Sequence, residues 1–207
     1  MHGETSGAAD KIEHDHSGDT NRIQYHEPDR VHARCINPHL TPPMPHSSAT
    51  FSPCRTYRYS LTRIWDADAP VCAFVLLNPS TADETANDPT ITRCIGFARR
   101  WGFGSLLAVN IFALRSTDPK GLRRIDDPVG PGNDRAIRRV IKSADLVVAA
   151  WGGHGKYLDR GRRVLTMLPD DAVCLGINRD GAPKHPLYIP GDTEPIALPC
   201  APQTNPI

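Results

Sequence analysis

The chain has 207 residues, 39% of them apolar, and a formal net charge of +1 from 24 basic and 23 acidic side chains. That length suits one domain, with or without a tail, and so even a charge gives no global pull toward polyanions. No apolar run reaches membrane-spanning length, and the six cysteines (Cys35, Cys54, Cys72, Cys94, Cys174 and Cys200) contain no C-x-x-C pair, which argues against a zinc site.

The first fifty residues carry almost no apolar runs and seven of the nine histidines. Such a composition buries too little surface to offset the entropy of ordering, so residues 1–50 are expected to be a disordered, histidine-rich tail. The histidine spacing is irregular, and no metal is expected there. No apolar stretch opens the chain, so no secretory leader is expected, and a reducing cytoplasmic setting follows as the default. Cys72, Cys94 and Cys174 fall inside apolar runs, where a free thiol packs as a small core residue. A single α/β domain is expected over residues 51–198, with residues 199–207 as a C-terminal tail.

In chain order, Thr56 to Asp66 alternates in the manner of a strand. Val71 to Leu77 (VCAFVLL) is continuously apolar, the mark of a strand buried on both faces. The two are expected to pair antiparallel. A polar run follows, and a helix should begin at Asp88. An aspartate N-cap, proline at the first helical position and apolar residues at 91, 94, 95, 98 and 101 set its start and inner face. Gly102 or Gly104 should end it. Ser105 to Leu114 reads as the next buried strand, Asn133 to Ala144 as a helix with Ile137, Val140 and Ile141 inward, and Asp145 to Trp151 as a third strand. Lys156 to Leu168 gives another helix and Ala172 to Ile177 the last core strand, with irregular chain from Pro190. This alternation predicts right-handed crossovers in a three-layer α/β/α sandwich with a mostly parallel central sheet.

Ligands of an open parallel sheet sit beyond the carboxyl ends of its strands. Those ends carry Asn78, Pro79, Ser80, Asp83 and Asp88; then Asn110, Phe112 and Arg115; then Trp151, Gly152, Gly153 and His154; then Asn178, Asp180, Lys184 and His185. Amides, aromatics and ionisable groups held by glycine and proline make a pocket. Each part also has a plainer reading. Asn78-Pro79 is compatible with a simple turn, Asp88 with a helix cap, the glycines after Trp151 with a flexible loop, and Arg115 with an ion pair. His185 is the prime titratable candidate. From Arg99 to Lys142 there are ten basic and four acidic residues, either a solvated helix face or a flank for phosphates.

The runs LLNPSTADETANDPTITRCIGFARRWGFG, VNIFALRSTDP, DPVGPGND, ADLVVAAWGGHG and HPLY resemble a bacterial and phage family called domain of unknown function 1643, over roughly Tyr57 to Asp192. More distantly, LLNPS, VNIFALR and KHPLY resemble, in order and spacing, three motifs of the uracil-DNA glycosylase superfamily. That likeness implies a parallel α/β/α sandwich that hydrolyses an N-glycosidic bond in DNA or nucleotides without a cofactor. It implies water positioning by Asn78, with Asp83 as an alternative, base reading by Asn110, and stabilisation of the leaving base by His185. Phe112 or Trp151 would stack the base, and Pro79, Ser80, Arg115, Gly152 and His154 would complete the binding surface. Leu76 and Ser80 stand where that superfamily has glycines, and Leu187 where it has serine, so side chains narrow the place where a base and phosphate would approach. A binding module for a nucleotide or modified base, or a small-nucleotide hydrolase, is the rival expectation. The protein is expected to act as a monomer on nucleic acid or nucleotide, away from membranes.

Overall fold

The computed structural model describes residues 46–199. The expected disorder of residues 1–45 and the last eight residues of the expected C-terminal tail lie outside the described residues. The strands are β1 (His46–Phe51), β2 (Arg58–Ile64), β3 (Val71–Leu76), β4 (Ser105–Asn110), β5 (Leu146–Ala149), β6 (Val173–Cys174) and β7 (Ile196–Ala197). The helices are α1 (Pro89–Arg100), α2 (Asn133–Lys142) and α3 (Arg160–Leu165), joined by 3₁₀ turns at Pro119–Arg124, Gly153–Asp159 and Pro186–Tyr188. Strand β1 starts at His46, inside the stretch whose composition suggests a tail. β1 gives little signal in the sequence because it is an edge strand with only Ala49 and Phe51 apolar.

One seven-stranded sheet runs in the order β1-β2-β4-β3-β5-β6-β7. β3 is its centre. Cys72, Phe74 and Leu76 pack on one face with Ile91, Cys94 and Phe97 of α1. Ala73, Val75 and Leu77 pack on the other with Ile137 and Val140 of α2 and Val164 of α3. Period-2 alternation sends successive side chains to opposite faces, so a continuous apolar run holds two helical layers at once, each large buried side chain worth about 1.5–3 kcal/mol. The α/β class and the layering on both faces match expectation.

The sheet itself is mixed, which corrects the expected mostly parallel arrangement. β4-β3-β5-β6 are parallel neighbours, whereas β1, β2 and β7 join antiparallel. β2 pairs with β4, not with β3. Both edges of β3 are taken by β4 and β5, so β2 occupies the only free edge of the parallel core on that side.

α1 starts as its sequence dictates. Asp88 is extended (φ −88°, ψ 171°) and its Oδ1 accepts from the Ile91 N–H at 2.8 Å, replacing the missing partner of one of the helix's unpaired donors. Arg99 and Arg100 face the negative end of the helix dipole, and Gly102 leaves it at φ +83°. The link from β3 to β4 uses α1 on one face, and the link from β5 to β6 uses α3 on the other. The chain thus diverges at the carboxyl ends of β3 and β5, which opens a crevice there. Among the described residues no helix is long and apolar enough to cross a membrane.

Candidate functional site

A cavity of about 760 Å³ fills that crevice. Leu77, Asn78 and Ser80 come from the end of β3, and Asp88 and Pro89 from the start of α1. Ser116 and Thr117 follow β4, and Trp151, Gly152, Gly153, His154 and Lys156 follow β5. Asn178, Asp180, Lys184, His185, Leu187, Tyr188 and Ile189 come from the segment after β6. All four parallel strand ends contribute, as open-sheet geometry requires.

Asn78 is fixed by its amide nitrogen, which donates to the Ser116 carbonyl at 2.7 Å and to the Pro79 carbonyl at 3.0 Å. The Ser116 N–H returns a bond to Pro79 O at 2.8 Å. These bonds consume the donor end of Asn78 and leave its Oδ1 as the acceptor end. Asp88, 5% exposed, caps α1 with one oxygen, and its second oxygen accepts from the Ala82 N–H at 3.4 Å.

His185 stands in extended backbone ahead of Pro186, and its Nδ1 accepts from the Leu187 N–H at 3.4 Å. A ring nitrogen that accepts carries no proton, so in the neutral ring the proton sits on Nε2. Burial lowers the His185 pKa from 6.5, and the Asp88 carboxylate opposes that shift without cancelling it. Burial thus favours the neutral imidazole, whose free donor end is Nε2–H. The Tyr188 ring lies 5.8 Å from it, centroid to centroid.

Gly152 makes the wall beside His185. Its φ of +73° with ψ of −179° belongs to glycine alone, and an added Cβ would stand 3.3 Å from the His185 Cβ. Trp151 is 2% exposed because its indole lies against Gly155 and Gly161, where a Cβ would fall 2.2 Å and 2.8 Å from ring atoms. Trp151 is thus a rigid floor with one edge at the cavity.

Of the residues expected at the site, the cavity gathers Asn78, Ser80, Trp151, Gly152, His154 and His185. The others lie outside it. Pro79 is buried behind Asn78. Asn110 is 1% exposed, its Oδ1 accepting from Arg58 at 3.3 Å and its backbone oxygen from Asn133 at 2.9 Å. Phe112 is a core residue packed 5.8 Å from the Tyr157 ring. Arg115 donates to the Arg55 carbonyl at 3.4 Å and lies over Phe51. Asp83 closes its own turn, accepting from Thr85 N, Thr85 Oγ1 and Ala86 N at 2.8–3.1 Å. Those bonds, the backbone ones first, hold its pKa down to about 2, which makes it a poor base.

Two arginines of β2, which carry no functional signal in the sequence, hold the polar run 80–88. Arg58, 1% exposed, donates to Ala82 O at 2.8 Å, and burial pushes its pKa down to about 10 against the pull of Asp88. Arg63 donates to Asn87 Oδ1 at 2.8 Å, Asp83 O at 2.6 Å and Ala86 O at 3.0 Å. Lys156 and Tyr188 also reach the cavity unannounced, and their only signal is position after a strand end. None of the surplus cations of residues 99–142 lines this cavity. Arg99 and Arg100 end α1, and Arg138, Arg139 and Lys142 lie in the second half of α2; both helices start beside the strand ends and run away from them. Among the described residues no group of three or more His, Cys, Asp or Glu could hold a metal ion.

A family model described as "Protein of unknown function (DUF1643)" matches residues 58–187. No curated protein and no solved structure matches the chain.

Proposed function

We propose, from the premise that this chain belongs to the DUF1643 family, that its cavity takes up one nucleotide unit, free or turned out of a strand, and hydrolyses the N-glycosidic bond. The observation that carries this reading is the convergence of Asn78, Trp151, Gly152 and His185 on one cavity, with His185 a neutral donor. In such a hydrolysis the C1′–N bond breaks heterolytically. The base leaves with the bonding pair, a water oxygen joins C1′, and the proton released by that water neutralises the departing base. A preformed Nε2–H aimed at the forming anion stabilises that charge without reorganisation. The Asn78 Oδ1 holds the water. The departing charge dominates the barrier, so a weak water acceptor suffices. The reading includes a monomer working in a reducing cytoplasm, in keeping with free, buried Cys72, Cys94 and Cys174.

A second reading is recognition without cleavage. It is favoured by Asp88, whose two oxygens both accept backbone N–H groups, and by Asn110, which is locked in the interior. One experiment separates them. Purified protein is incubated with nucleosides, nucleotides and with single- and double-stranded DNA carrying uracil, hydroxymethyluracil and other modified bases, and released base is measured by chromatography. Base release that disappears in His185→Gln supports hydrolysis. Saturable binding with no released base moves the conclusion to recognition alone. Neither binding nor release from any of these ligands overturns both.

A further inference from the structure

A second cavity, of about 750 Å³, runs along the outer side of α1 and is lined by Thr92, Arg93, Gly96, Phe97 and Arg100. Asp88, Pro89 and Leu187 line both cavities, so the two adjoin, with the exposed Leu187 side chain as the ridge between them. Each volume lies within the range that a whole small ligand fills. A mononucleotide seated in the first cavity therefore leaves the second untouched.

The lining of the second cavity is cationic. Arg93 and Arg100 bring two guanidiniums to it, and its one carboxylate, Asp88, is turned to backbone N–H groups. Two turns of helix separate Arg93 from Arg100, roughly 10 Å along the axis. Arg93 is seated by a bond to the Ile189 carbonyl and by the Phe97 ring 5.3 Å from its Cζ. Its Nε is buried with no hydrogen-bond partner among the described residues. Gly96 has no side chain to fill the floor, and a Cβ placed there would meet nothing within 4 Å. An open floor between two arginines a few ångströms further apart than one phosphate spans suits successive phosphates of a chain.

We propose that this α1 groove is a phosphate-backbone subsite, so that the ligand of the main cavity is a nucleic-acid strand that crosses the Leu187 ridge, with one unit in the main cavity and its neighbours' phosphates along Arg93 and Arg100. The proposal rests on the nucleotide reading of the main cavity and narrows it to a polymeric ligand. It also accounts for Arg100 at the far end of α1, since the groove leads to it.

The test is fluorescence anisotropy of a labelled single-stranded hexanucleotide, with unlabelled nucleoside monophosphates as competitors, for the wild type, Gly96→Glu and Arg100→Ala. Neither substitution touches the main cavity, and both sit on exposed positions of α1; melting curves check folding. The expected result is hexanucleotide binding tighter than monophosphate binding by roughly tenfold or more. Gly96→Glu should remove that advantage, and Arg100→Ala should lower the log–log salt slope by about 0.7, the share of one neutralised phosphate. Monophosphate affinity should stay unchanged in both. Hexanucleotide binding no tighter than monophosphate binding, or variants that retain it, overturns the groove while leaving the main cavity standing. Failure of every nucleotide, short or long, to bind overturns the reading of the main cavity and the groove with it.

Discussion

The side-chain nitrogen of Asn78 donates to the carbonyl of Ser116 at 2.7 Å, tying the end of β3 to the segment that follows β4 beneath the cavity. Asn78→Asp replaces that donor with an acceptor facing two carbonyl oxygens, those of Ser116 and Pro79. The half-buried Ser116 carbonyl loses its side-chain donor while the Pro79 carbonyl keeps the Ser116 N–H, so a loss of about 1 kcal/mol is expected, read as a lower melting temperature. Nucleotide affinity, followed by calorimetric titration, should fall with it, because the acceptor end no longer has a fixed direction.

Gly152 and Gly181 make a matched pair for substitution by alanine. Both have positive φ, +73° and +79°, but only Gly152 would push a Cβ toward a neighbour, His185 at 3.3 Å; Gly181 meets nothing within 4 Å. Gly181→Ala should cost about 1 kcal/mol from backbone strain alone, and Gly152→Ala about 1–3 kcal/mol. Equilibrium unfolding in urea measures both. Only Gly152→Ala should also weaken ligand binding.

The pH dependence follows from His185. Burial lowers its folded pKa below the 6.5 expected when unfolded, so the unfolded chain binds the proton more readily. Its contribution to stability is fully present above pH 6.5 and is lost as the pH falls from there through the folded value. Asp88 and Tyr188 are the ionisable groups that act on or lie against the ring. Unfolding free energies of wild type and His185→Gln should run parallel above pH 7 and converge below pH 6. Curves that stay parallel throughout contradict a desolvated histidine.

Arg58→Met tests the clamp on residues 80–88. The change strands the Ala82 carbonyl and the Asn110 Oδ1, both of which accept from the guanidinium. A loss of about 1–3 kcal/mol is expected, with faster proteolysis inside 80–88. Arg58→Lys should not rescue it, since one ammonium cannot reproduce a planar fork reaching two acceptors in different directions.

The parts of the fold written in local pattern were legible in the sequence. The unbroken apolar run of β3 announced a strand buried on two faces, the run ending at Trp151 announced a further strand, and Asp88-Pro89 announced the start of α1. Strand ends pointed to Asn78, Trp151, Gly152, His154 and His185, which do share the cavity. What failed depended on pairing between distant segments. β2 leaves β3 and lies on β4 because both β3 edges are occupied, and nothing in residues 56–77 encodes that. Asn110 closes β4 in register with Leu76, so it looks like a strand end while its side chain meets Arg58 inside. Arg58 itself breaks the usual rule for charged residues: its partners, Ala82 and Asn110, are 24 and 52 residues away. The long polar run after β3 is explained by that clamp. It is a wall held by two arginines, and its backbone carbonyls serve as their acceptors.

The most direct test of the central claim is the long-range proton–nitrogen NMR spectrum of His185 at pH 7, assigned against His185→Gln and recorded with and without a nucleoside monophosphate. A neutral ring protonated on Nε2, whose Nε2 resonance moves on nucleotide addition, is the result expected of a donor poised over a base. An imidazolium, an Nδ1-protonated ring, or a signal that no nucleotide moves would contradict it.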